Sequence, residues 1–295
     1  MKLSYIIKEN ENFDSIKHVL KTKFEISDRL LLKLKNKNKI FLNSTPCSVN
    51  THPNSSDIIE IRLDYFEDNS NIVPTKIDLK ILFEDEFLLI LNKPAGLPIH
   101  PSILHYEDSL SNGVKYYFDS INLHKKIRPV NRLDRDTSGI VIFAKNEYIQ
   151  ECLVRQMKNN TFIKEYIAIC KGELPSNSGT INAPIARKPD SIIERCVSPE
   201  GDISITHYEV LKQNSEFSVL RLILETGRTH QIRVHLAYLG NPIIGDTLYG
   251  SSSDLINRQA LHSYKVSFIH PVTFKKMEII APLYSDMESF LKHLG

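Results

Sequence analysis

The spacing of hydrophobic and polar residues predicts most of the helices and strands of this chain. Near the N-terminus, apolar residues recur three and four positions apart after Ile16 and again after Ser27, which predicts two short helices. Ser27 is a good N-cap, and Asp28 places a negative charge in the first turn, where the helix dipole favours it. An apolar run over residues 57–63 predicts a strand that closes this unit.

Beyond residue 79 the pattern changes to short runs rich in β-branched and apolar residues. Strands are predicted over residues 87–91, 140–144, 166–169, 205–211 and 217–224, and helices over residues 147–158 and 229–239. Asn146 is the expected cap of the first of these helices and Thr229 of the second, which should end at Gly240. We therefore expect an α+β fold with a mixed, largely antiparallel sheet and flanking helices.

A polar, irregular segment separates these two parts of the chain. Residues 66–74 contain few apolar side chains and end in Pro74, a composition typical of a linker. The sequence thus predicts two domains, over residues 1–72 and 73–295.

Composition narrows the class of protein without identifying a partner. The net charge of +2 is too small by itself to indicate a nucleic-acid ligand. The four cysteines are scattered with no C-x-x-C pair, which favours a reducing compartment. The N-terminus becomes polar too early for a signal peptide, and apolar runs of about five residues are too short to span a membrane. We expect a soluble, cytoplasmic protein.

Positive charge is concentrated on the two N-terminal helices. It comes mainly from lysines, opposed there only by Glu25 and Asp28. A solvated lysine-rich face is one interpretation, and the residues alone slightly favour it. The other is a small module that follows RNA phosphates. On the second interpretation, the candidate RNA-binding side chains are Arg29, Lys33, Lys35 and Lys37.

Four short segments of the larger domain place charged or hydrogen-bonding side chains at the ends of apolar elements, where clefts form. These segments are residues 92–94, 132–139, 164–166 and 226–235. Their side chains do not form a familiar cofactor site. His230 and His235 lack a third ligand at metal-site spacing, and neither G-x-x-x-x-G-K-[ST] nor G-x-G-x-x-G occurs. The single Asp136-Thr137-Ser138-Gly139 loop lacks the second carboxylate that an aspartic protease needs.

The segment Arg132-Leu133-Asp134-Arg135-Asp136-Thr137-Ser138-Gly139 resembles the signature of the RluA-type pseudouridine synthases. The resemblance covers roughly residues 80–283 and continues, in family order, through residues 91–97, 164–168, 226–236, 242–246, 261–263 and 270–271. Residues 12–63 resemble, more loosely, the S4-like RNA-binding domain that often precedes this catalytic domain.

The resemblance implies the pseudouridine synthase fold and the isomerisation of uridine in structured ribosomal or transfer RNA, with no cofactor, no nucleotide and no metal. It assigns Asp134 as the catalytic residue, acting as nucleophile or base near the sugar. Tyr166 matches the tyrosine that stacks on the target base, Arg233 the arginine paired with the catalytic acid, and Leu261 an apolar residue under the site. A carboxylate with this role must be ionised, and a nearby guanidinium favours that form.

Further side chains of these segments are expected to bind the substrate. Basic residues of the segment before the strand at 140–144 should hold the phosphates that flank the target. They are Arg132, Arg135, Lys125, Lys126 and Arg128, and the remaining candidates are Lys93, Thr137, Arg228, Thr229 and His230. Asp136 should instead fix the turn. The sequence departs from the family pattern at Asn131, where histidine is usual.

Two alternatives to this enzyme remain open at this point. One is an RNA-binding or ribosome-assembly factor on the same scaffold without catalysis, against which the intact Asp134 argues. The other is a hydrolase that uses Asp134 and releases uracil. We expect the protein to act on RNA as a monomer, with no membrane partner.

Overall fold

The computed structural model describes residues 1–293, which form six helices and fifteen strands. The helices are α1 (Ile16–Thr22), α2 (Asp28–Asn36), α3 (Leu110–Ser120), α4 (Glu147–Lys158), α5 (Gln231–Tyr238) and α6 (Ser285–His293). The strands are β1 (Lys2–Ile6), β2 (Ile40–Leu42), β3 (Thr45–Pro46), β4 (Ile58–Arg62), β5 (Ile81–Glu84), β6 (Leu88–Lys93), β7 (Ser138–Ala144), β8 (Ile163–Lys171), β9 (Ser178–Asn182), β10 (Ile185–Arg187), β11 (Arg195–Val197), β12 (Ile205–Gln213), β13 (Phe217–Leu224), β14 (Leu261–Ile269) and β15 (Lys276–Ile280).

The N-terminal strands form a small antiparallel sheet in the order β1-β4-β2-β3. Helices α1 and α2 bury their apolar residues in the core that this sheet contributes to. As predicted, α2 begins after Ser27, whose side chain accepts a hydrogen bond from the Leu30 backbone. The local capping chemistry therefore determines where this helix starts.

The larger sheet confirms the predicted α+β class. In the described residues its strands follow the order β5-β6-β7-β14-β8-β13-β12-β9, with β15 paired to β14. The pairings are antiparallel except for that between β7 and β14. Strand β14 therefore lies between β7, which follows the Asp134 loop, and β8, which carries Tyr166.

Helices cover both faces of strands β6 and β7. Successive side chains of a strand point to opposite faces. Accordingly, Leu89 and Val141 pack in the cluster that contains α3, whereas Leu88 and Ile140 pack in the cluster that contains α4. Both strands are buried throughout; the apolar runs over residues 87–91 and 140–144 predicted this, whereas the burial of Asn92 and Lys93 was not predicted.

The two sheets share one hydrophobic core. A continuous cluster of buried side chains includes Leu34 and Ile59 of the N-terminal unit together with Ile149 of α4 and Phe268 of β14. The polar segment over residues 66–74 is also partly buried, with Glu67 and Asn69 inside the protein. Glu67 pairs with Lys33 and Arg128, and Asn69 donates to the Lys125 carbonyl, so distant partners bury two side chains of a segment whose composition is typical of a linker.

One predicted helix start was wrong. Thr229 does not cap α5; the N-cap is His230, in a left-handed conformation with φ 59°, and its side chain makes no capping hydrogen bond. Within residues 1–293, no helix is both long enough and apolar enough to cross a bilayer.

We expect Gly139 to be essential for joining β7 to β14. Its φ is +109°, and a Cβ there would lie 2.2 Å from the carbonyl oxygen of Ser263 on β14. Gly139→Ala should therefore lower the free energy of unfolding by on the order of 3 kcal/mol or more, measured by urea denaturation. Gly240→Ala is the matched control, because Gly240 also has positive φ but open space around it, and should cost about 1–2 kcal/mol. If both variants lost the same free energy of unfolding, the close approach of residue 139 to Ser263 would not be the cause of the loss.

Candidate active site

A cleft of about 700 Å³ opens beside the loop between α3 and β7. One wall is formed by residues 129–134, and another by Val154, Met157 and Lys158 of α4. An adjoining hollow of about 70 Å³ reaches inward to Arg233 and Leu261. Asp134 and Tyr166 line both spaces and therefore lie where they meet.

The loop that carries Asp134 is fixed by hydrogen bonds on both sides. Upstream, the Asn131 side chain donates to the Ile140 carbonyl and accepts from the Ile142 amide, each at 2.9 Å. Downstream, the Thr137 amide donates to the Asp134 carbonyl at 3.1 Å and closes a turn. Asn131, which departs from the family pattern, thus organises the loop. The Asp134 side chain remains 26% exposed and accessible from the cleft.

Arg233 connects Asp134 to a second carboxylate. Its guanidinium donates to Asp246 at 2.7 and 2.8 Å through two nitrogens, and to Asp134 Oδ2 at 3.0 Å through the third. Burial alone would lower the pKa of Arg233, but the two carboxylates raise it above its usual value. The planar guanidinium therefore holds the Asp134 carboxylate in a defined position.

Asp246 is a positioning residue that the sequence did not single out. It is fully buried and also accepts hydrogen bonds from the backbone amides of Leu248 and Tyr249. Tyr249 packs its ring against the Arg233 guanidinium, 5.0 Å from the ring centroid, and its hydroxyl bonds to His230. The signal for Asp246 was its place in the family segment 242–246; nothing pointed to Tyr249.

Tyr166 forms part of the floor of the site. It lies on β8 between Leu222 of β13 and Ser263 of β14, and burial raises its pKa to about 12. The hydroxyl is therefore protonated at neutral pH. Leu261 begins the adjacent strand β14 and lines the same hollow.

The structure brings most of the other predicted substrate-binding residues to this site. Arg132, Arg228 and Thr229 line the cleft, and Thr137 and His230 line the hollow. The His230 ring lies 3.9 Å from the Asp134 carboxylate, and burial lowers its pKa.

Two predicted residues do not enter the cleft. Lys93 is fully buried, and its ammonium donates to the carbonyls of Pro94, Leu97 and Arg135 at 2.8–2.9 Å. All three of its N–H groups are donated to backbone carbonyls, so Lys93 stabilises the loop that contains Arg135 and has no donor left for a ligand. The Arg135 side chain is 55% exposed and pairs with Asp136 beside it.

Of the basic residues predicted to hold phosphates, Arg132 lines the cleft, whereas Lys126 and Arg135 are exposed outside its lining. Lys125 and Arg128 are buried and directed towards the N-terminal unit, so they are not available to a phosphate in the cleft. Lys158 and Lys164, which the sequence had not selected, line the cleft beside Arg132. Burial lowers the pKa of Lys164 below its usual value.

The N-terminal basic residues also differ in their environment. Arg29 and Lys35 are exposed on α2. Lys33 is partly buried and pairs with Glu67 and Glu147, whereas Lys37 is also exposed and lies over the Tyr65 ring.

The second histidine considered as a metal ligand is structural. His235 is buried, with one ring nitrogen bonded to Thr206 and the other to the Ala183 carbonyl. Burial lowers its pKa. In the described part of the chain, no group of three or more potential ligands could hold a metal ion.

Sequence comparisons with known proteins identify the family of this chain. Residues 87–238 match the family described as RNA pseudouridylate synthase. An uncharacterised RNA pseudouridine synthase of Bacillus subtilis, YjbO, is 39% identical over 90% of this chain and 95% of its own length. Ribosomal large subunit pseudouridine synthase D of Blochmanniella floridana is 35% identical over 78% of each chain.

Solved structures show the same fold. The structure titled human RNA pseudouridylate synthase domain containing 1 aligns with a TM-score of 0.59 over 74% of this chain and 94% of that one, at 24% identity. Its counterpart domain containing 4 aligns with a TM-score of 0.61 over 73% and 92%, at 22% identity. The chain belongs to the RNA pseudouridine synthase family, among its RluA-type enzymes, and is an RNA pseudouridine synthase.

Proposed function

We propose that Asp134 is the catalytic carboxylate with which this enzyme converts uridine to pseudouridine at specific positions of structured ribosomal or transfer RNA. The observation that carries the assignment is the position of its carboxylate. It is held by Arg233 at 3.0 Å, it is partly exposed to the cleft, and it shares the hollow with Tyr166. Ribosomal RNA is supported by the relatives named for the large ribosomal subunit.

The reaction moves one bond of the substrate without adding or removing atoms. The bond between N1 of the base and C1′ of the ribose breaks, C5 then bonds to C1′, and the hydrogen leaves C5 while N1 gains one. Asp134 acts at the sugar, either as a nucleophile or as a base. The positive charge of Arg233 lies beside the carboxylate and stabilises it in the orientation the reaction needs.

The target base must leave the RNA helix to reach Asp134. Flipping costs a few kcal/mol, and stacking on an aromatic ring returns about 1–3 kcal/mol. Tyr166 supplies this ring, with Leu261 as apolar support. Arg132, Arg228, Lys158 and Lys164 provide positive charge for the flanking phosphates.

The remaining assignments concern the rest of the chain. Residues 1–72 form an S4-like RNA-binding domain, whose exposed Arg29 and Lys35 contact phosphates. Residues 73–295 form the catalytic domain, and the enzyme acts as a monomer. Four unpaired cysteines fit a cytoplasmic enzyme.

Asp134→Asn should abolish pseudouridine formation, because it keeps the side chain's shape but removes its charge and nucleophilicity. RNA affinity should stay within about tenfold, or ~1.4 kcal/mol. The assay incubates total RNA from cells lacking this protein, maps pseudouridines and measures binding. Asp136→Asn, whose carboxylate pairs with the exposed Arg135, is the control and should retain most activity. An active Asp134→Asn would refute the assignment, and free uracil from the wild type would indicate a hydrolase.

Asp246→Asn should slow turnover strongly although Asp246 does not face the substrate. The change weakens the two hydrogen bonds that orient the Arg233 guanidinium, so that Asp134 loses its fixed partner. Single-turnover rates at saturating RNA should fall at least tenfold, about 1.4 kcal/mol in the barrier. Asp202→Asn is the control, because Asp202 pairs with the exposed Arg228 at 3.6 Å outside this network. If the two changes slowed turnover equally, the hydrogen bonds from Arg233 to Asp246 would not be needed to position Arg233.

Tyr166→Ala should weaken RNA binding by about 1–3 kcal/mol because the flipped base loses its stacking surface. Tyr166→Phe keeps the ring and should bind within about twofold of the parent, which is ~0.4 kcal/mol. Both changes are made in the Asp134→Asn background, so that binding is measured without product formation. If the Ala and Phe variants bind equally well, the ring does not stack on the base.

A further inference from the structure

A buried ionic cluster joins the N-terminal unit to the segment that leads to Asp134. The Arg128 guanidinium donates to both oxygens of Glu67 at 2.7 Å. Lys33 of α2 also bonds Glu67, at 2.6 Å, and reaches Glu147 at the start of α4, at 2.9 Å. Tyr65 donates its hydroxyl to Glu147. The cluster therefore connects α2, the segment after β4, the segment before Asp134 and α4.

The Glu67–Arg128 pair is almost completely withdrawn from water. The side chains are 3% and 9% exposed. Burial alone would raise the pKa of Glu67, but the hydrogen bonds from Arg128 and Lys33 lower it to about 2. Glu67 is therefore ionised throughout the physiological pH range. Removing one partner of such a pair leaves an uncompensated buried charge, so the loss of Glu67 or Arg128 is costly even where the intact pair adds little stability.

Arg128 lies six residues before Asp134, and the chain between them is attached to β7. The Ala144 amide donates to the Arg128 carbonyl at 2.9 Å, and the Val130 amide donates to the Ile142 carbonyl at 2.7 Å. Residues 129–134 then form one wall of the cleft. Arg128 and the Asp134 loop therefore belong to one short segment whose start is hydrogen-bonded to β7.

The opposite wall of the cleft is attached to the same N-terminal unit. Glu151 of α4 accepts hydrogen bonds from the backbone and side chain of Ser27, at 3.3 and 2.6 Å. Arg155 of α4 bonds the carbonyl and carboxylate of Glu25. Three residues beyond Glu151, Val154 begins the part of α4 that lines the cleft. Both walls therefore have their outer contacts in residues 1–72.

We propose that Glu67 and Arg128 are positioning residues for the isomerisation, through which the N-terminal unit holds the cleft in its active geometry as well as binding RNA. A unit that served only to capture RNA would need no buried ionic contact with the catalytic segment. This inference rests on the proposed role of Asp134, and the experiment below separates the two.

The test uses the full-length protein and total RNA from cells that lack it. Glu67→Gln removes the charge that neutralises Arg128 with little change of volume. The single-turnover rate at saturating RNA should fall at least tenfold, while the RNA dissociation constant stays within threefold. Hydrogen exchange measured by mass spectrometry should become faster in peptides covering residues 128–134, and remain unchanged in β8 and β13. A change of rate without a change of affinity would distinguish positioning from RNA capture.

Glu86→Gln is the matched control. It removes an ion pair between the same two parts of the chain, from the Met1 amine to Glu86 at 3.1 Å, but the Glu86 side chain is 58% exposed and neither residue lines the cleft. Its rate and affinity should equal those of the wild type. A slowing as large as that of Glu67→Gln would overturn a specific role for the Glu67–Arg128 pair.

Glu67→Asp keeps the protein testable if the Gln variant does not fold. It retains the charge but is one methylene shorter, so it cannot keep both hydrogen bonds to Arg128 in place. Its rate should lie between those of the wild type and Glu67→Gln. An unchanged rate in folded Glu67→Asp, or weaker RNA binding with an unchanged saturated rate, would refute the inference. If Asp134→Asn remained active, the proposed function would fail instead.

Discussion

The proposed active site depends on one guanidinium with carboxylates on two sides. Arg233 sits on α5, and its bidentate contact with Asp246 fixes the plane of its nitrogens before any substrate is present. Only the remaining nitrogen is directed to Asp134. A lysine could not serve in this way, because it carries a point charge without a fork geometry. The stacked Tyr249 ring and the left-handed turn at His230 keep α5 where this geometry is possible.

The local parts of the fold were predictable because their signals lie within a few residues. Helix α4 has the predicted bounds and the predicted Asn146 cap, and β12 and β13 correspond to the strands predicted over residues 205–211 and 217–224. Strand β14 was not predicted. Its sequence mixes polar and apolar residues and therefore lacks a clear strand pattern. Its pairing with β8, about a hundred residues earlier in the chain, is not visible in the local sequence. Thr229 was chosen as a cap by residue type, whereas the chain turns one residue later.

The motif residues were identifiable from sequence, but the direction of basic side chains was not. Lys93 and Arg128 have the positive charge expected of phosphate ligands, yet both are buried by acceptors that include distant residues, Arg135 for Lys93 and Glu67 for Arg128. Residues 66–74 likewise have the composition of a linker, although Glu67 is buried. Its burial results from its ion pair with Arg128, which is distant in sequence. Whether a charged residue faces water is decided by tertiary contacts that a single sequence does not display.

The position of β14 has a consequence for how the enzyme matures during synthesis. The strand that leads from Asp134 and the strand that bears Tyr166 do not touch each other; β14 lies between them. A growing chain can complete the N-terminal unit and pair β6 with β7 before β14 has been synthesised, because both pairings involve only residues between positions 2 and 144. The two halves of the active site can join only after residues 261–269 have left the ribosome. Catalytic competence is therefore acquired only after residues 261–269 have been synthesised, well after the Asp134 loop and Tyr166.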